Sequence, residues 1–338
     1  MAEAAPLVQI SNLCVDFSSR HHTARALHGV NLSIHRGETL GIVGESGCGK
    51  SITWMASLGL LGANARVDGS IKFDGREILG LPEPKLNAIR GGRVAMIFQD
   101  PTSSLNPLHQ IGWQLTEALA LHRNLRGAEA RKEAERLLDR VGIANARRRL
   151  GEYPHEFSGG MNQRVMIAMA LAGDPELLVA DEPTTALDAT IQAQILDLLD
   201  DLRRERNMAL VLISHDLGMV SEMTERVVVM YCGRVVEDTP TSALFSRPAH
   251  PYTRGLIAAL PDLDGPRRRL VAIPGTVPPP DRLPPGCPFT PRCPAAMTTC
   301  AQAVPTLRMV GGQVAHRAAC MLISPSVAAS DVLAGAMQ

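Results

Sequence analysis

Residues 44–51, GESGCGKS, have the glycine spacing of a loop that binds the phosphates of a nucleotide. The glycines let successive backbone N–H groups point at one anion, and the helix that follows adds its positive end. Lys50 is placed to reach the terminal phosphates, and the Ser51 hydroxyl to ligate Mg²⁺. A chance glycine-rich turn is the alternative, but the loop lies between an apolar strand and a helix, as nucleotide binding requires. The predicted phosphate-site residues are Gly44, Ser46, Gly47, Gly49, Lys50, Ser51 and Ile52.

Two carboxylates follow a second apolar strand, in the sequence LLVADEP. Asp181 at the strand end can hold Mg²⁺ through water, and Glu182 beside it suits a general base that polarises an attacking water. The alternative is an ordinary acidic pair at the surface, which the apolar strand before the pair and Pro183 after it disfavour. The two motifs together predict ATP and Mg²⁺ as cofactors.

Four of the seven cysteines lie in the last part of the chain. Their spacing, C-x5-C-x6-C-x19-C, differs from the C-x2-C pairs of common zinc sites, and two of them precede a proline. Irregular four-cysteine sets with Cys-Pro steps occur in iron–sulfur proteins. Three interpretations stay open: a [4Fe–4S] cluster, which we favour, a structural Zn²⁺ held by four thiolates, and unliganded thiols. The expected ligands are Cys287, Cys293, Cys300 and Cys320, with His316 as an alternative.

Composition limits the classes of protein to consider. The chain has 338 residues, which suggests about two domains, and 45% apolar with only 3% aromatic residues predicts an aliphatic core. Acidic and basic residues number 34 each, so we expect no nucleic-acid partner, which usually goes with a basic excess. We also expect no transmembrane helix and no signal peptide, since no long apolar run is present. A cytoplasmic protein rarely forms disulfides, so the clustered thiols favour metal ligation.

Alternating strands and helices must position these residues. Buried strands are predicted before the phosphate loop, in VAMIFQD, and before both Asp181 and His215, with a helix between the last two. A hairpin is predicted to turn at Gly233. This repetition indicates an α/β fold with a largely parallel sheet. Dense prolines beyond residue 240 exclude long helices and central strands there. The predicted division is residues 1–240, with a helical subdomain at about 108–172, and residues 241–338.

These motifs resemble those of the ATP-binding subunits of ABC transporters, over at least residues 7–260. EFSGGMNQR, residues 156–164, is similar to the signature that separates this family from other P-loop ATPases. The resemblance implies ATP hydrolysis by a P-loop α/β core with an antiparallel N-terminal β region and a helical subdomain. A small irregular metal-binding extension would follow the core.

The resemblance also assigns roles to single residues around the γ-phosphate. Gln99 in IFQDP matches a glutamine that senses Mg²⁺ and the γ-phosphate and links to the membrane subunits. Glu182 matches the catalytic base, and His215 in LISHD matches a histidine that contacts the γ-phosphate.

Other residues are assigned to a second subunit or to the base. Ser158 and Gly160 match signature residues that contact the ATP of an opposing subunit, and Asp188 matches a residue at the dimer interface. The signature departs from the common LSGGQ at its first and fifth positions but keeps its serine and glycines. Phe17 is the expected aromatic that stacks on the nucleobase.

Within this family, the chain most resembles the group that imports di- and oligopeptides. IFQDPTSSLNP, HPYTRGLIAALP and IPGTVPPP are similar to segments of that group, whose members are reported to hold a [4Fe–4S] cluster at the cysteines. It implies a second ABC ATPase subunit, two membrane permeases, an extracytoplasmic peptide-binding protein acting indirectly, and a place on the cytoplasmic face of the inner membrane. Import of nickel or another small solute, a soluble ABC ATPase of translation or DNA repair, and an inactive regulatory subunit are the alternatives.

Overall fold

The structure is a computed structural model that describes residues 5–19, 22–99, 104–185, 187–260, 272–311 and 313–323. Its strands are β1 (Val8–Ser18), β2 (Thr23–Ile34), β3 (Thr39–Val43), β4 (Ala65–Phe73), β5 (Arg76–Glu77), β6 (Val94–Ile97), β7 (Leu177–Asp181), β8 (Ala209–Ile213), β9 (Arg226–Tyr231), β10 (Arg234–Pro240), β11 (Arg308–Val310) and β12 (Gln313–Ala318). Its α-helices are α1 (Lys50–Ser57), α2 (Glu83–Asn87), α3 (Ile111–Arg123), α4 (Gly127–Arg140), α5 (Ala146–Arg149), α6 (Gly159–Leu171), α7 (Ala189–Arg206), α8 (Leu217–Met223), α9 (Thr241–Ser246) and α10 (Pro251–Ala258). In these ranges, no helix combines the length and the apolar content needed to cross a bilayer.

The N-terminal strands form an antiparallel sheet in the order β2-β1-β4-β5. β1 pairs antiparallel with both of its neighbours. Ile10, Leu13 and Val15 of β1 are buried, so one face of this sheet packs on an apolar core. The predicted antiparallel N-terminal β region is confirmed.

The central sheet has the order β11-β12-β10-β9-β3-β8-β7-β6. β6, β7, β8, β3 and β9 run parallel, and β10, β12 and β11 continue the sheet antiparallel. Every residue of β3, β7 and β8 is buried, which is typical of parallel strands covered on both faces. The predicted P-loop α/β core is confirmed, and the hairpin of β9 and β10 turns at Gly233. Ligands of such sheets bind beyond the carboxyl ends of the parallel strands, where the phosphate loop lies.

Helices α3 to α6 occupy most of the segment for which helical structure was predicted. The side chains of two leucines of α3 and two of α4 belong to one buried cluster and are fully buried: Leu115, Leu119, Leu137 and Leu138. α6 then carries the chain back toward β7, so these helices pack beside β6 at one edge of the central sheet.

The C-terminal extension differs from the irregular segment that the prolines predicted. β12 pairs antiparallel with β10, through Glu237↔Ala318 and Asp238↔Arg317, and β11 pairs with β12. The dense prolines end before residue 306, so the last segment keeps the N–H groups that a sheet ladder needs. The extension therefore widens the central sheet by two edge strands, with two short 3₁₀ segments, Thr290–Arg292 and Thr298–Ala301, before them.

Candidate nucleotide-binding site

The phosphate loop joins β3 to α1, as the sequence predicted, and two of its glycines have no room for a side chain. Gly44 has φ 151°, and a Cβ there would lie 2.3 Å from the carbonyl oxygen of Met230. Gly49 has φ 103°, and a Cβ there would lie 2.6 Å from the Leu27 side chain. The close approach of β9 and β2 thus leaves room only for backbone at these two positions. Ser46 and Gly47 are exposed at the tip of the loop.

Lys50 and Ser51 begin α1 at the base of this loop. Lys50 is only 7% exposed, and its Nζ donates hydrogen bonds to the carbonyl oxygens of Gly44 (2.7 Å) and Glu45 (3.2 Å). The ammonium is thus held inside the loop, where it can meet the terminal phosphates of a nucleotide. Ile52, the next residue, is half-buried against the N-terminal core.

Asp181 lies beside Ser51, so the structure brings the two motifs together. The pKa of the Asp181 carboxyl is raised above its ordinary value, mainly by burial and also by the neighbouring charge of Glu182. A hydrogen bond from Ser51 and the charge of Lys50 act in the opposite direction. A hydroxyl and a carboxylate at the end of β7 are oxygen donors of the kind that Mg²⁺ prefers. The residues present therefore fit a magnesium ion at this point.

Glu182 is the centre of a hydrogen-bonded group at the carboxyl ends of three strands. Its Oε2 accepts hydrogen bonds from Gln99 Nε2 (2.9 Å) and from Thr185 Oγ1 (2.9 Å). His215 Nδ1, beyond β8, lies 3.3 Å from Glu182 Oε1. The three residues assigned to the γ-phosphate therefore converge, and two hydrogen bonds orient the carboxylate of the predicted base. Thr185 was missed in the sequence, where only its position three residues after Glu182 could have indicated this contact.

The signature serine caps the helix on which the signature begins. Ser158 is the N-cap of α6, and its hydroxyl accepts a 3.3 Å hydrogen bond from the Met161 N–H. A Cβ on Gly160 would lie 2.9 Å from the side chain of Ile191, so α6 approaches α7 closely here. Asp188 is the N-cap of α7 and accepts a 2.9 Å hydrogen bond from Ile191 N–H. Ser158 and Asp188 are both exposed.

Phe17, the predicted stacking partner of the nucleobase, lies near the end of β1, opposite Ala24 and Ala65. Its ring is half-buried and packs against the core of the N-terminal sheet.

The four C-terminal cysteines all line one small cavity of about 20 Å³. Burial raises the pKa of the Cys287, Cys293 and Cys320 thiols. In the part of the chain that the structure describes, no group of three or more His, Cys, Asp or Glu side chains is arranged to hold a metal ion. The four thiols are of the type that binds metals, and they line one cavity. In the described residues they are not arranged as the ligands of a bound metal ion.

His316, the alternative ligand, is engaged elsewhere. Its Nε2 lies 2.8 Å from Oε1 of Glu237, and both side chains are buried. Glu237 also accepts hydrogen bonds from the backbone N–H groups of Ala249 (2.8 Å) and His250 (2.9 Å). The histidine therefore joins β12 to β10 and to the start of α10. The sequence alone does not distinguish this structural role from metal ligation.

The extension reaches the phosphate loop through two residues, Arg292 and Tyr252, whose contacts no sequence motif indicated. Arg292 donates to the carboxylate of Glu45 in the loop, and the Tyr252 hydroxyl accepts a hydrogen bond from the Glu45 N–H. Tyr252 belongs to the HPY motif, but nothing in its spacing from residue 45 indicated the contact.

Comparisons with known proteins agree with this geometry. The ABC transporter family matches residues 27–185, and the oligopeptide/dipeptide transporter C-terminal region matches residues 236–300. The oligopeptide transport ATP-binding protein OppD of Escherichia coli (strain K12) is 51% identical, over 92% of this chain and 93% of its own. AppD of Bacillus subtilis (strain 168), also an oligopeptide transport ATP-binding protein, is 50% identical over 89% and 92%.

A solved structure extends the similarity to the fold. The dimeric, post-hydrolysis structure of the ATP-binding cassette MJ0796 bound to ADP and Pi has a TM-score of 0.62 and 30% identity. It covers 69% of this chain and 98% of that one. The chain therefore belongs to the ATP-binding subunits of ABC transporters, in the group of the oligopeptide transport ATP-binding proteins, and hydrolyses ATP.

Proposed function

We propose that this chain is the subunit whose ATP hydrolysis energises import of di- and oligopeptides across the cytoplasmic membrane. The observation that carries the ATPase part is the convergence of Gln99, Glu182 and His215 next to the phosphate loop. The peptide part is supported by the match to the oligopeptide/dipeptide transporter C-terminal region and by relatives named for oligopeptide transport.

Hydrolysis follows from the placement of these side chains. The phosphate loop and Lys50 hold the triphosphate, and a water attacks the γ-phosphorus while the bond to the ADP oxygen breaks. Glu182 takes the proton of that water, and the hydrogen bonds from Gln99 and Thr185 keep its carboxylate aimed. His215 contacts the γ-phosphate. Mg²⁺, held by Ser51 and Gln99 and through water by Asp181, would neutralise phosphate charge.

A second ATPase subunit completes each site in this proposal. Ser158 and Gly160 begin a helix whose exposed positive end can accept the phosphates of a nucleotide on another chain. Asp188 would lie at that interface. We propose that the partner is a different ABC ATPase, so that two chains meet head to tail with ATP between them. Phe17 would stack on the nucleobase.

An apolar groove beside Gln99 offers a surface for a membrane permease. It has a volume of about 330 Å³ and lies between the central sheet and helices α3 and α6. Phe98, directly before Gln99, is 39% exposed there, and Leu60 is 36% exposed. A cytoplasmic segment of a permease that fills this groove would contact Phe98, so a movement of Gln99 would be transmitted to the permease. The subunit would thus sit on the cytoplasmic face of the inner membrane under two permeases, with a peptide-binding protein acting indirectly from outside.

For the cysteine cavity we propose a [4Fe–4S] cluster, with Zn²⁺ as the alternative. Four thiols around one cavity, their irregular spacing and the resemblance to peptide importers support it. Protein purified without oxygen should contain about four irons per chain and absorb broadly near about 400 nm. Cys300→Ser should remove most of this iron, whereas Cys14→Ser on β1 should retain it. Zinc without iron would contradict the cluster.

The proposed function is tested by the ATPase activity of the assembled transporter. Chains co-expressed with their permeases, partner ATPase and peptide-binding protein, in lipid vesicles, should hydrolyse ATP faster when di- or oligopeptides are added. Stimulation by nickel salts and not by peptides would replace peptide import with the small-solute alternative.

A further inference from the structure

The guanidinium of Arg292 reaches from the C-terminal extension into the phosphate loop. Nη1 donates to Glu45 Oε2 at 2.7 Å and Nη2 donates to Glu45 Oε1 at 2.9 Å, a two-pronged ion pair across 247 residues of sequence. The Arg292 side chain is only 4% exposed. A planar fork matched to a carboxylate is the strongest geometry for such a pair, so the contact is specific.

The rest of the Arg292 side chain is fixed as well. Its Nε donates to the carbonyl oxygen of Pro274 (2.9 Å), and Nη1 also lies 3.3 Å from the Tyr231 hydroxyl. The guanidinium carbon lies 5.8 Å from the ring centre of Tyr231 and 6.0 Å from that of Phe289. Arg292 is therefore held by the extension and by β9 before it meets Glu45.

Glu45 in turn lies against the residue that binds phosphate. Its N–H donates to the Tyr252 hydroxyl at 2.8 Å, and its carbonyl oxygen accepts from Lys50 Nζ at 3.2 Å. A carboxylate in a loop that must accept a polyanion raises the electrostatic cost of ATP binding unless a cation neutralises it. Arg292, whose side chain is buried, is the cation that pairs with the half-buried Glu45 carboxylate, and the burial of the guanidinium limits screening by salt.

From these contacts we propose that Arg292 is a positioning residue for ATP binding. It neutralises the Glu45 carboxylate and holds it away from the phosphates, so that the affinity for ATP depends on the C-terminal extension. Cys293 follows Arg292 directly and lines the cysteine cavity, which places this control next to the thiols. The inference rests on the proposed role of the phosphate loop in binding ATP.

The test measures MgATP affinity, with a fluorescent ATP analogue, for the full chain in complex with its partners. Arg292→Met should weaken binding about tenfold, because it leaves the Glu45 carboxylate unpaired beside the phosphates. Adding Glu45→Gln to Arg292→Met removes that charge and should restore the affinity to within about threefold of wild type. The KM for ATP should follow the same pattern, while kcat at saturating ATP stays within about twofold, since the Glu182 group is untouched.

Two further variants separate this role from folding. Arg282→Met removes an arginine of the same extension whose side chain is 81% exposed, and it should leave the affinity unchanged. Glu45→Gln alone leaves no carboxylate to repel ATP, so it should not weaken ATP binding. Because it also removes the ion pair with Arg292, it should lower the thermal stability.

The results distinguish failure of the proposed Arg292 role from failure of ATP binding itself. Wild-type affinity in Arg292→Met, or a double variant as weak as Arg292→Met, would overturn the inference, as would Glu45→Gln binding ATP as weakly as Arg292→Met. If Arg292→Met fails to fold, the other two variants are compared with wild type, and an affinity more than about threefold weaker in the double variant or in Glu45→Gln would overturn the inference. A wild-type complex that binds no MgATP would instead refute the proposed function.

Discussion

The side-chain amide of Gln99 donates a 2.9 Å hydrogen bond to the carboxylate of Glu182, 83 residues further along the chain. The contact is possible because β6 and β7 are adjacent parallel strands, so both residues leave the sheet at the same edge. It joins the residue beside the proposed permease groove to the proposed catalytic base.

Glu182→Gln should leave MgATP binding intact and reduce turnover by about a hundredfold or more, because the amide cannot take the proton of water. Measuring ATP affinity and phosphate release in the same complex separates the two effects. Glu222→Gln, at an exposed glutamate of α8, is the matched control and should turn over like wild type. Turnover at the wild-type rate in Glu182→Gln would show that another group is the base.

Thr185→Val should lower kcat about tenfold without changing the affinity for ATP. The substitution removes the hydroxyl that donates to Glu182 Oε2, and a hydrogen bond to a charged group is worth about 1.5 kcal/mol or more. Thr185→Ser keeps that hydroxyl and should stay near wild type. A serine variant as slow as the valine variant would mean that the threonine acts through packing.

Leu60→Asp should weaken co-purification with the permeases, since docking would bury an unpaired carboxylate in the apolar groove. Leu121→Asp is the control, because Leu121 is 71% exposed on α3 and does not line the groove. Pull-down from detergent extracts, with thermal melting of each variant, measures both. Equal recovery of the two variants would place the permease elsewhere.

The stability of the folded chain should fall as the pH drops from about 6.5 toward about 4, in part through His28. Burial and the nearby charges of Arg234 and Arg25 lower the pKa of His28 to about 4 in the folded chain, although a backbone hydrogen bond with Arg25 and the charge of Asp16 oppose the shift. The unfolded chain, with a normal histidine pKa, binds the proton first, so protons favour unfolding across this window.

His28→Asn removes this titration and should flatten that part of the profile. Urea unfolding at about pH 7 and about pH 5 measures it, with unfolding reported by circular dichroism. A variant whose stability loss between the two pH values equals that of wild type would show that His28 does not contribute.

The position of the proposed catalytic residues could be predicted from the sequence because each of them follows a short apolar strand. Asp181 ends β7, Glu182 follows it, and His215 comes just after β8, so the parallel sheet alone brings them to one edge. The strand-to-helix position of the phosphate loop is local in the same way. The sequence indicates where a side chain lies when one motif and one adjacent element determine its position.

Other contacts depend on how distant segments fold back, and no local pattern encodes that. Arg292 meets Glu45 only because the extension returns to β10, which a proline count could not foresee. The sequence offered His316 as an alternative metal ligand near Cys320, yet its Nε2 lies 2.8 Å from the buried carboxylate of Glu237, 79 residues away. Contacts between residues so far apart in the sequence can be identified only in the folded structure.

Uptake of a labelled oligopeptide into vesicles shows whether ATP hydrolysis by this chain drives peptide import. The vesicles would carry the assembled transporter with the peptide-binding protein outside and MgATP inside. The wild-type complex should accumulate peptide only with MgATP, and the complex containing Glu182→Gln should bind MgATP without accumulating peptide. Hydrolysis of ATP by a wild-type complex that accumulates no peptide, of any length tried, would contradict the account.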